Sequence, residues 1–407
     1  MGGTAITRRR MLGLLGAAAI GTAVGCGSSV EDDDEAAAGG GGDGGTLRVG
    51  LVIPQSGVYT SLGTDMKNAW DLWLDEHDNM IGGREVETET ADEGETPDSG
   101  VAALGGLLQR NVDVLVGVVN SAVALGSRDQ VAEAQKLLLI ANAGANDVTG
   151  SARSPYIWRT SFTNSQVALP LGEYMASAPD SQDGVFAVAA DYAAGHESIA
   201  GFKKGFADAG GTVLGEAASP FGTTQDFQPY LTQIRQSGAT AVYCFYAGAE
   251  AVNFVKQFAQ FGLSRDVQLY GNGFLTEGGV LEAQGDDAIG VRTSLHYSTE
   301  LENPANQGFV EAYTAAYGGP PTVYAVQVWD AALVLDQAVA AADDVSGDAL
   351  SEALGGLGEI SDSPRGPWSF DGQTPRQPFY LREVERKEGV LVNAVVEDLG
   401  VIAQPEL

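Results

Sequence analysis

The sequence predicts an α/β protein of two lobes, each built on a parallel sheet with helices on both faces. Three observations carry this reading. Short β-branched apolar runs alternate with amphipathic stretches from residue 46 onward. Several of the runs are apolar at successive positions, as strands buried on both faces are. The alternation also passes through two complete sets, one on either side of about residue 165, in a chain of 407 residues, long enough for two domains of ordinary size.

A leader precedes the first set. "TRRRMLGLLGAAAIGTAVGC" carries the basic cluster Arg8 to Arg10 and then an uncharged run too short for a comfortable membrane span, so residues 1–25 read as an export signal. Thr7-Arg8-Arg9 with Met11-Leu12 resembles a twin-arginine signal, and "AVGC" (Ala23 to Cys26) resembles a lipobox, whose cysteine receives lipid. A plain secretory signal with an incidental cysteine is the alternative. Residues 26–45 lack apolar content and are rich in glycine and consecutive acids, the composition of a flexible tether rather than of a calcium loop.

From Thr46 the elements follow in order. "LRVGLVIP" (47–54) reads as a strand, and "GTDMKNAWDLWLDEHDNM" sets Met66, Ala69, Trp70, Trp73, Leu74 and His77 on one helical stripe. "REVETETAD" is strand-like and "SGVAALGGLLQR" helical. "VDVLVGVV" (112–119) is the next strand, and Asn120-Ser121 opens a helix with Ser121 as a candidate N-cap. "LLLIAN" closes the set. The second set runs from the helix "NSQVALPLGEYMAS" through the strand "GVFAVAAD", the helix "GHESIAGFKKGFADAG" and the strand "TVLGEAAS". It continues with the helix "FQPYLTQIRQS", the strand "ATAVYCFYAG", the helix "EAVNFVKQFAQFG" and the strand "VQLYGN". A returning strand at 289–297 leads to two long helices, 304–317 and about 322–342, and the C-terminal segment reads as a hairpin turning at Lys387-Glu388-Gly389.

Charge and missing motifs narrow the function. The net charge is −32, and residues 1–25 hold three arginines and no acid, so cleavage there would leave −35. Nucleic-acid binding needs a basic surface, and no such partner is expected. With Cys26 lipidated, Cys244 has no partner for a disulfide and reads as a small buried hydrophobe in "AVYCFY". No GxxxxGK[ST], GxSxG, CxxC or HExxH occurs, and His77, His196 and His296 fit no metal spacing. Binding without turnover is expected, with no cofactor and no metal.

In open parallel sheets, ligands sit beyond the carboxyl ends of strands, where loops and helix N-termini converge. The corresponding turns supply the candidates. "PQSGVYTSLG" (54–63) brings Tyr59, "NSAVA" brings Asn120 and Ser121, and "ANAGAND" (141–147) brings Asn142, Ala143, Gly144 and Ala145. Their small residues let a ligand approach the backbone, and N–H groups at a helix start favour a carboxylate. Ser121 stays open between cap and ligand contact. "DYAAG" and "CFYAGAE" offer Tyr192 and Tyr246 from the second lobe, each open between wall residue and packed aromatic.

The segments "VGLVIPQSGVYTSLG", "VGVVNSAVALG", "LLLIANAGANDVTG", "SPYIWRTSFTNSQ", "ADYAAGHESIAGFKKGF" and "NQGFVEAYTAAYGGPPTVYAVQVWDAA" resemble, in this order, type I periplasmic binding proteins of the leucine/isoleucine/valine-binding group, over 47–400. The resemblance implies two Rossmann-like lobes with parallel central sheets joined by three hinge crossovers, near 160–166, 288–297 and 363–371. Residues 46–163 plus 298–362 would form the first lobe and 164–290 plus 370–407 the second. It implies a monomeric extracytoplasmic receptor, held to the membrane's outer face by lipid on Cys26, that closes on a small ligand and docks on an ABC permease with its ATPase.

Carried over singly, Ser121 falls where the family holds the ligand's carboxylate and Ala143 where a backbone group meets it. Ala145 stands where amino-acid binders have a threonine, leaving Asn142 or Asn146 to replace that hydroxyl. Ala194 and Ala247 stand at their tyrosine positions, which leaves Tyr192 and Tyr246 as displaced candidates. The acid for an α-ammonium is expected at Gly273, and Glu277 lies four residues late. A buried ammonium without a carboxylate loses a charge-assisted hydrogen bond and pays desolvation. The expected ligand is therefore a carboxylate-bearing aromatic or aliphatic acid. A branched-chain amino acid, or a ligand sensor of the same fold, is the alternative.

Overall fold

The computed structural model describes residues 45–405. The export signal, the lipobox with Cys26 and the tether through residue 44 lie outside the described residues.

The first sheet contains β1 (Leu47–Ile53), β2 (Met80–Ile81), β3 (Arg84–Asp92), β4 (Val114–Gly117), β5 (Leu137–Ile140) and β6 (Ile157–Arg159), in the order β2-β3-β1-β4-β5-β6. Between and after them come α1 (Thr60–Glu76), α2 (Pro97–Gln109), α3 (Ser121–Ala134) and the single turn α4 (Asn146–Thr149). The next helix, α5 (Asn164–Ser177), leads into the second sheet, with β7 (Val185–Asp191), β8 (Val213–Pro220), β9 (Ala241–Phe245), β10 (Gln268–Asn272) and β11 (Arg292–Leu295). Its helices are α6 (Ala193–Asp208), α7 (Gln228–Ser237), α8 (Gly248–Gln260) and α9 (Gly279–Gln284). Then come α10 (Pro304–Tyr317), α11 (Val323–Ala341) and α12 (Gly347–Gly355). The strands β12 (Glu359–Ile360), β13 (Trp368–Asp371), β14 (Thr374–Lys387) and β15 (Val390–Ile402) complete a sheet ordered β12-β13-β14-β11-β10-β9-β7-β8, with β15 on β14.

Each sheet has the expected parallel centre, with antiparallel strands added along one side. Five strands of each are parallel, β3-β1-β4-β5-β6 and β8-β7-β9-β10-β11. β2–β3, β13–β14 and β14–β15 pair antiparallel across tight turns, and β11–β14 and β12–β13 pair antiparallel across longer connections. At the β14–β15 turn Glu388 and Gly389 have φ of 51° and 89°, the left-handed pair that matches strand twist in a two-residue hairpin.

The continuous apolar runs are explained by two-sided burial. In β4 and β5, Val114, Val116 and Leu139 join one core while Leu115, Leu138 and Ile140 join another on the opposite face. α1 and α11 pack together, so the chain returns to the first lobe after β11.

The passages between lobes run at 160–163, before α5, and at 296–303, before α10. The third passage is not a loop. β14 starts beside β6, where Arg159 N–H donates to Gln373 O at 3.1 Å and Gln373 Nε2 to Ile157 O at 2.9 Å. It then continues for 14 residues to pair with β11 and β15 in the second sheet.

In both parallel arrays the strand order reverses beside the first strand of the lobe, between β1 and β4 and between β7 and β9. The crevices beyond those carboxyl ends are where open α/β sheets bind ligands. Here the two crevices face each other.

Candidate functional site

At the β4 crevice the eight-residue apolar run does not stay a strand. Gly117 has φ 127° and Val118 φ 67°, a left-handed conformation rare for a β-branched residue and costing about 1–3 kcal/mol. Val118 is held there by its N–H to Val52 O at 2.8 Å and by Ala143 N–H to its own carbonyl at 2.9 Å. After this kink Val119 and Ser121 line the cleft.

The N-cap of α3 is Asn120, not Ser121: Asn120 Oδ1 accepts the Ala122 N–H at 2.8 Å. Ser121 is the first helical residue, and its Oγ accepts from Asn164 Nδ2 at 3.4 Å, so its own O–H remains a donor. Under this turn the buried Glu93 carboxylate accepts the Val119 and Asn120 N–H groups at 2.9 and 2.7 Å. Burial pushes Glu93 up to about 7; the two N–H bonds oppose this, and nearby Asp92 adds to it.

The loop after β5 is braced from behind by Arg159, which is fully buried. Its guanidinium donates to Ala143 O at 2.9 Å, Phe162 O at 2.8 Å, Ala145 O at 2.6 Å and Thr149 Oγ1 at 3.0 Å. Desolvation pushes Arg159 down to about 9, against the pull of Glu197. Asn142 and Gly144 line the cleft from this loop, while Ala143 and Ala145 turn into the first-lobe core. Asn146 is outside the lining, and its Oδ1 accepts from Ser165 N–H and Oγ. Asn142 spends its Nδ2 on Gln327 Oε1 at 2.7 Å.

From the second lobe come Tyr192, Ala194, Phe245, Ala247 and Phe274. Tyr246, expected at the wall, faces away: its hydroxyl lies 3.1 Å from Ser219 Oγ and its ring packs on Phe227 and Phe254. The strand alternation explains the error, because neighbours of Tyr246 necessarily take the other face. Gly273 is likewise outside the lining. A Cβ there would meet Arg382 Nη2 at 2.5 Å and Leu295, so an acid at this position would point into the second lobe's frame. Glu277 is committed elsewhere, to Arg382 at 3.1 Å and to the Val323 N–H at 2.9 Å.

The full lining adds Leu62, Phe162, Asn164 and Tyr324 to these residues and Tyr59. Of the expected contacts, Tyr59, Ser121, Asn142, Gly144 and Tyr192 converge, whereas Asn120, Ala143, Ala145, Tyr246 and Gly273 do not line the cleft. The two walls meet, with Tyr59 and Tyr192 hydroxyls 2.9 Å apart and Phe162 and Phe274 rings 4.8 Å apart. The free space left between them is only about 20 Å³, room for about one water, so the walls must part to admit a ligand. Six of the fourteen lining residues are aromatic and none is charged, so the site suits a small flat apolar body held at one end by neutral dipoles. Phe162, Asn164 and Tyr324 were not read from the sequence, although the first two stand in the "RTSFTN" crossover.

Comparison with known proteins identifies the family. The family profile described as "Periplasmic binding protein" matches residues 46–389. The Leu/Ile/Val-binding protein homolog 6 of Brucella melitensis biotype 1 is 30% identical over 371 residues, covering 89% of this chain and 93% of the relative. A solute binding protein of an R. palustris ABC transporter, solved in complex with benzoate, superposes with a TM-score of 0.81 at 35% identity, over 88% of this chain and 97% of that one. Another from R. palustris, in complex with 4-hydroxybenzoate, gives a TM-score of 0.79 at 30% identity, over 88% and 98%. Among the described residues no helix is long and apolar enough to cross a membrane.

Proposed function

We propose that this chain, which belongs to the periplasmic binding protein family, is the extracytoplasmic receptor of an ABC importer and captures a small aromatic carboxylate between its lobes. The observation that carries this reading is the cleft's composition: six aromatic rings, three neutral polar side chains (Ser121, Asn142, Asn164) and no acid. An amino-acid ligand would bury an ammonium there without a carboxylate partner. A carboxylate meets instead the Ser121 hydroxyl and the N-terminal end of the 14-residue α3, whose aligned peptide dipoles favour an anion. The benzoate and 4-hydroxybenzoate complexes of the two R. palustris proteins support the aromatic class; the relatives named for Leu/Ile/Val binding support the amino-acid alternative.

Closure brings the Tyr59 and Tyr192 walls together around the ligand, and the closed form delivers it to the permease. Lipid on Cys26 keeps the receptor at the membrane's outer face. Calorimetric titration with benzoate and with leucine tests the ligand class. Benzoate should bind in the micromolar range or tighter and leucine at least a hundredfold more weakly; tight leucine binding with no benzoate heat would overturn the reading.

A further inference from the structure

The cleft holds three tyrosines, and their hydroxyls are not equivalent. Those of Tyr59 and Tyr192 are paired with each other at 2.9 Å across the lobes. Tyr324, 1% exposed, also lines the cleft, yet its hydroxyl has no hydrogen-bond partner among the described residues. A buried hydroxyl left in that condition has lost its water with no bond in return, so such groups in native proteins call for an explanation. No other residue of the lining carries a buried side-chain polar atom in this condition.

The hydroxyl is also firmly placed. Tyr324 lies in the first turn of α11, between two amides that are themselves tied down: Val323 N–H donates to Glu277 Oε1 at 2.9 Å and Ala325 N–H to Thr322 Oγ1 at 3.4 Å. Thr322 in turn donates to Asp65 Oδ2 at 2.9 Å. Burial, with the charges of Glu277 and Asp65, holds the phenol well above its ordinary range, so it keeps its proton and can donate.

Its location relative to Ser121 completes the argument. Asn164 touches Ser121, and Gly144 lies beside both Asn164 and Phe162; Phe162 packs on Phe274 at 4.8 Å; Phe274 packs on Tyr324 at 5.9 Å. Aromatic rings therefore separate the dipoles that receive a carboxylate from the Tyr324 hydroxyl. Resting on the aromatic-acid reading above, we infer that Tyr324 selects a ligand with a second polar group on the ring, a hydroxybenzoate-type acid, by donating to the ring oxygen opposite the carboxylate.

The test is a ratio of affinities. Titrating the protein with 4-hydroxybenzoate and with benzoate should show the hydroxylated acid binding about tenfold tighter, one net hydrogen bond's worth. In Tyr324→Phe, which keeps the ring, that ratio should fall to near one, while the ligand-free melting temperature stays within a degree or two of the wild type. Equal affinities in the wild type, or a ratio unchanged by Tyr324→Phe, would overturn the inference and leave the aromatic-acid reading standing. Binding of neither acid would overturn both.

Discussion

Fourteen residues line the cleft and none carries a formal charge, whereas the belt of chain crossings behind it is built on buried arginines. Arg365 pairs with Asp330 at 2.7 Å, both fully buried, and donates to the carbonyls of Thr160 and Ser161 in the first crossing and to Gln377 in the third. Arg382 holds Glu277 at 3.1 Å and Tyr297 O at 2.8 Å. Arg159 has only neutral acceptors, carbonyls of the binding loop and one threonine. Fixed charge is thus spent on fastening backbone that has no ladder partner. The cleft is left to neutral dipoles, which an anionic ligand can engage without first breaking an ion pair. A guanidinium suits the first task, since its five donors satisfy several carbonyls at once.

The contrast breaks most forcefully at Asp330. Asp330→Asn leaves Arg365 buried without its carboxylate and should cost about 3–5 kcal/mol in denaturant unfolding, and Asp330→Leu with Arg365→Met should not recover it, because the Thr160, Ser161 and Gln377 acceptors then stay buried and unpaired. A negligible loss in the single variant would mean that the pair does not fasten the crossings.

Glu93, buried beneath the Val119–Asn120 turn of the cleft, offers a pH test. Its folded pKa is raised to about 7, so its stabilising contribution is complete below the ordinary carboxylate range and is lost as pH rises through about 7. Relative to Glu93→Gln, the wild type should lose roughly 3 kcal/mol of stability between pH 4.5 and 8. Parallel stability–pH curves for the two proteins would show that Glu93 does not titrate there.

The smallest effect is expected at Ser121. Ser121→Ala should weaken an aromatic acid by about ten- to a hundredfold, the value of a charge-assisted hydrogen bond. Because Asn120 caps α3, the melting temperature should fall by no more than one or two degrees. A large thermal loss with unchanged affinity would make Ser121 a structural residue after all.

Much of this was legible in the chain. Strand–helix alternation located both lobes, and the rule that ligands sit beyond carboxyl strand ends pointed to the loops carrying Tyr59, Ser121, Asn142 and Tyr192. What failed was orientation within a buried strand. "AVYCFY" is apolar on both faces, so no polar alternation reveals that Phe245 and Ala247 face the cleft while Tyr246 does not. Ser121 stayed open between cap and ligand contact because Asn and Ser are comparably good N-caps and only the Gly117–Val118 kink decides between them. Tyr324 reaches the site through the fold's second passage between lobes, a contact no local pattern encodes.

The third crossing has a mechanical consequence. β14 begins hydrogen-bonded beside the first sheet and ends inside the second, with Gln166 Nε2 tied to Pro375 O at 2.7 Å and Gln377 Nε2 to Ser161 O at 2.6 Å along the way. A loop swivels freely, but a laddered strand answers rotation with a restoring torque. Any turn of one lobe against the other must be absorbed as twist spread along this ribbon, so the molecule behaves as a torsion spring with one preferred angle. Pro375 and Pro378 already stiffen this ribbon, and Gly in place of either would soften the spring without touching the cleft.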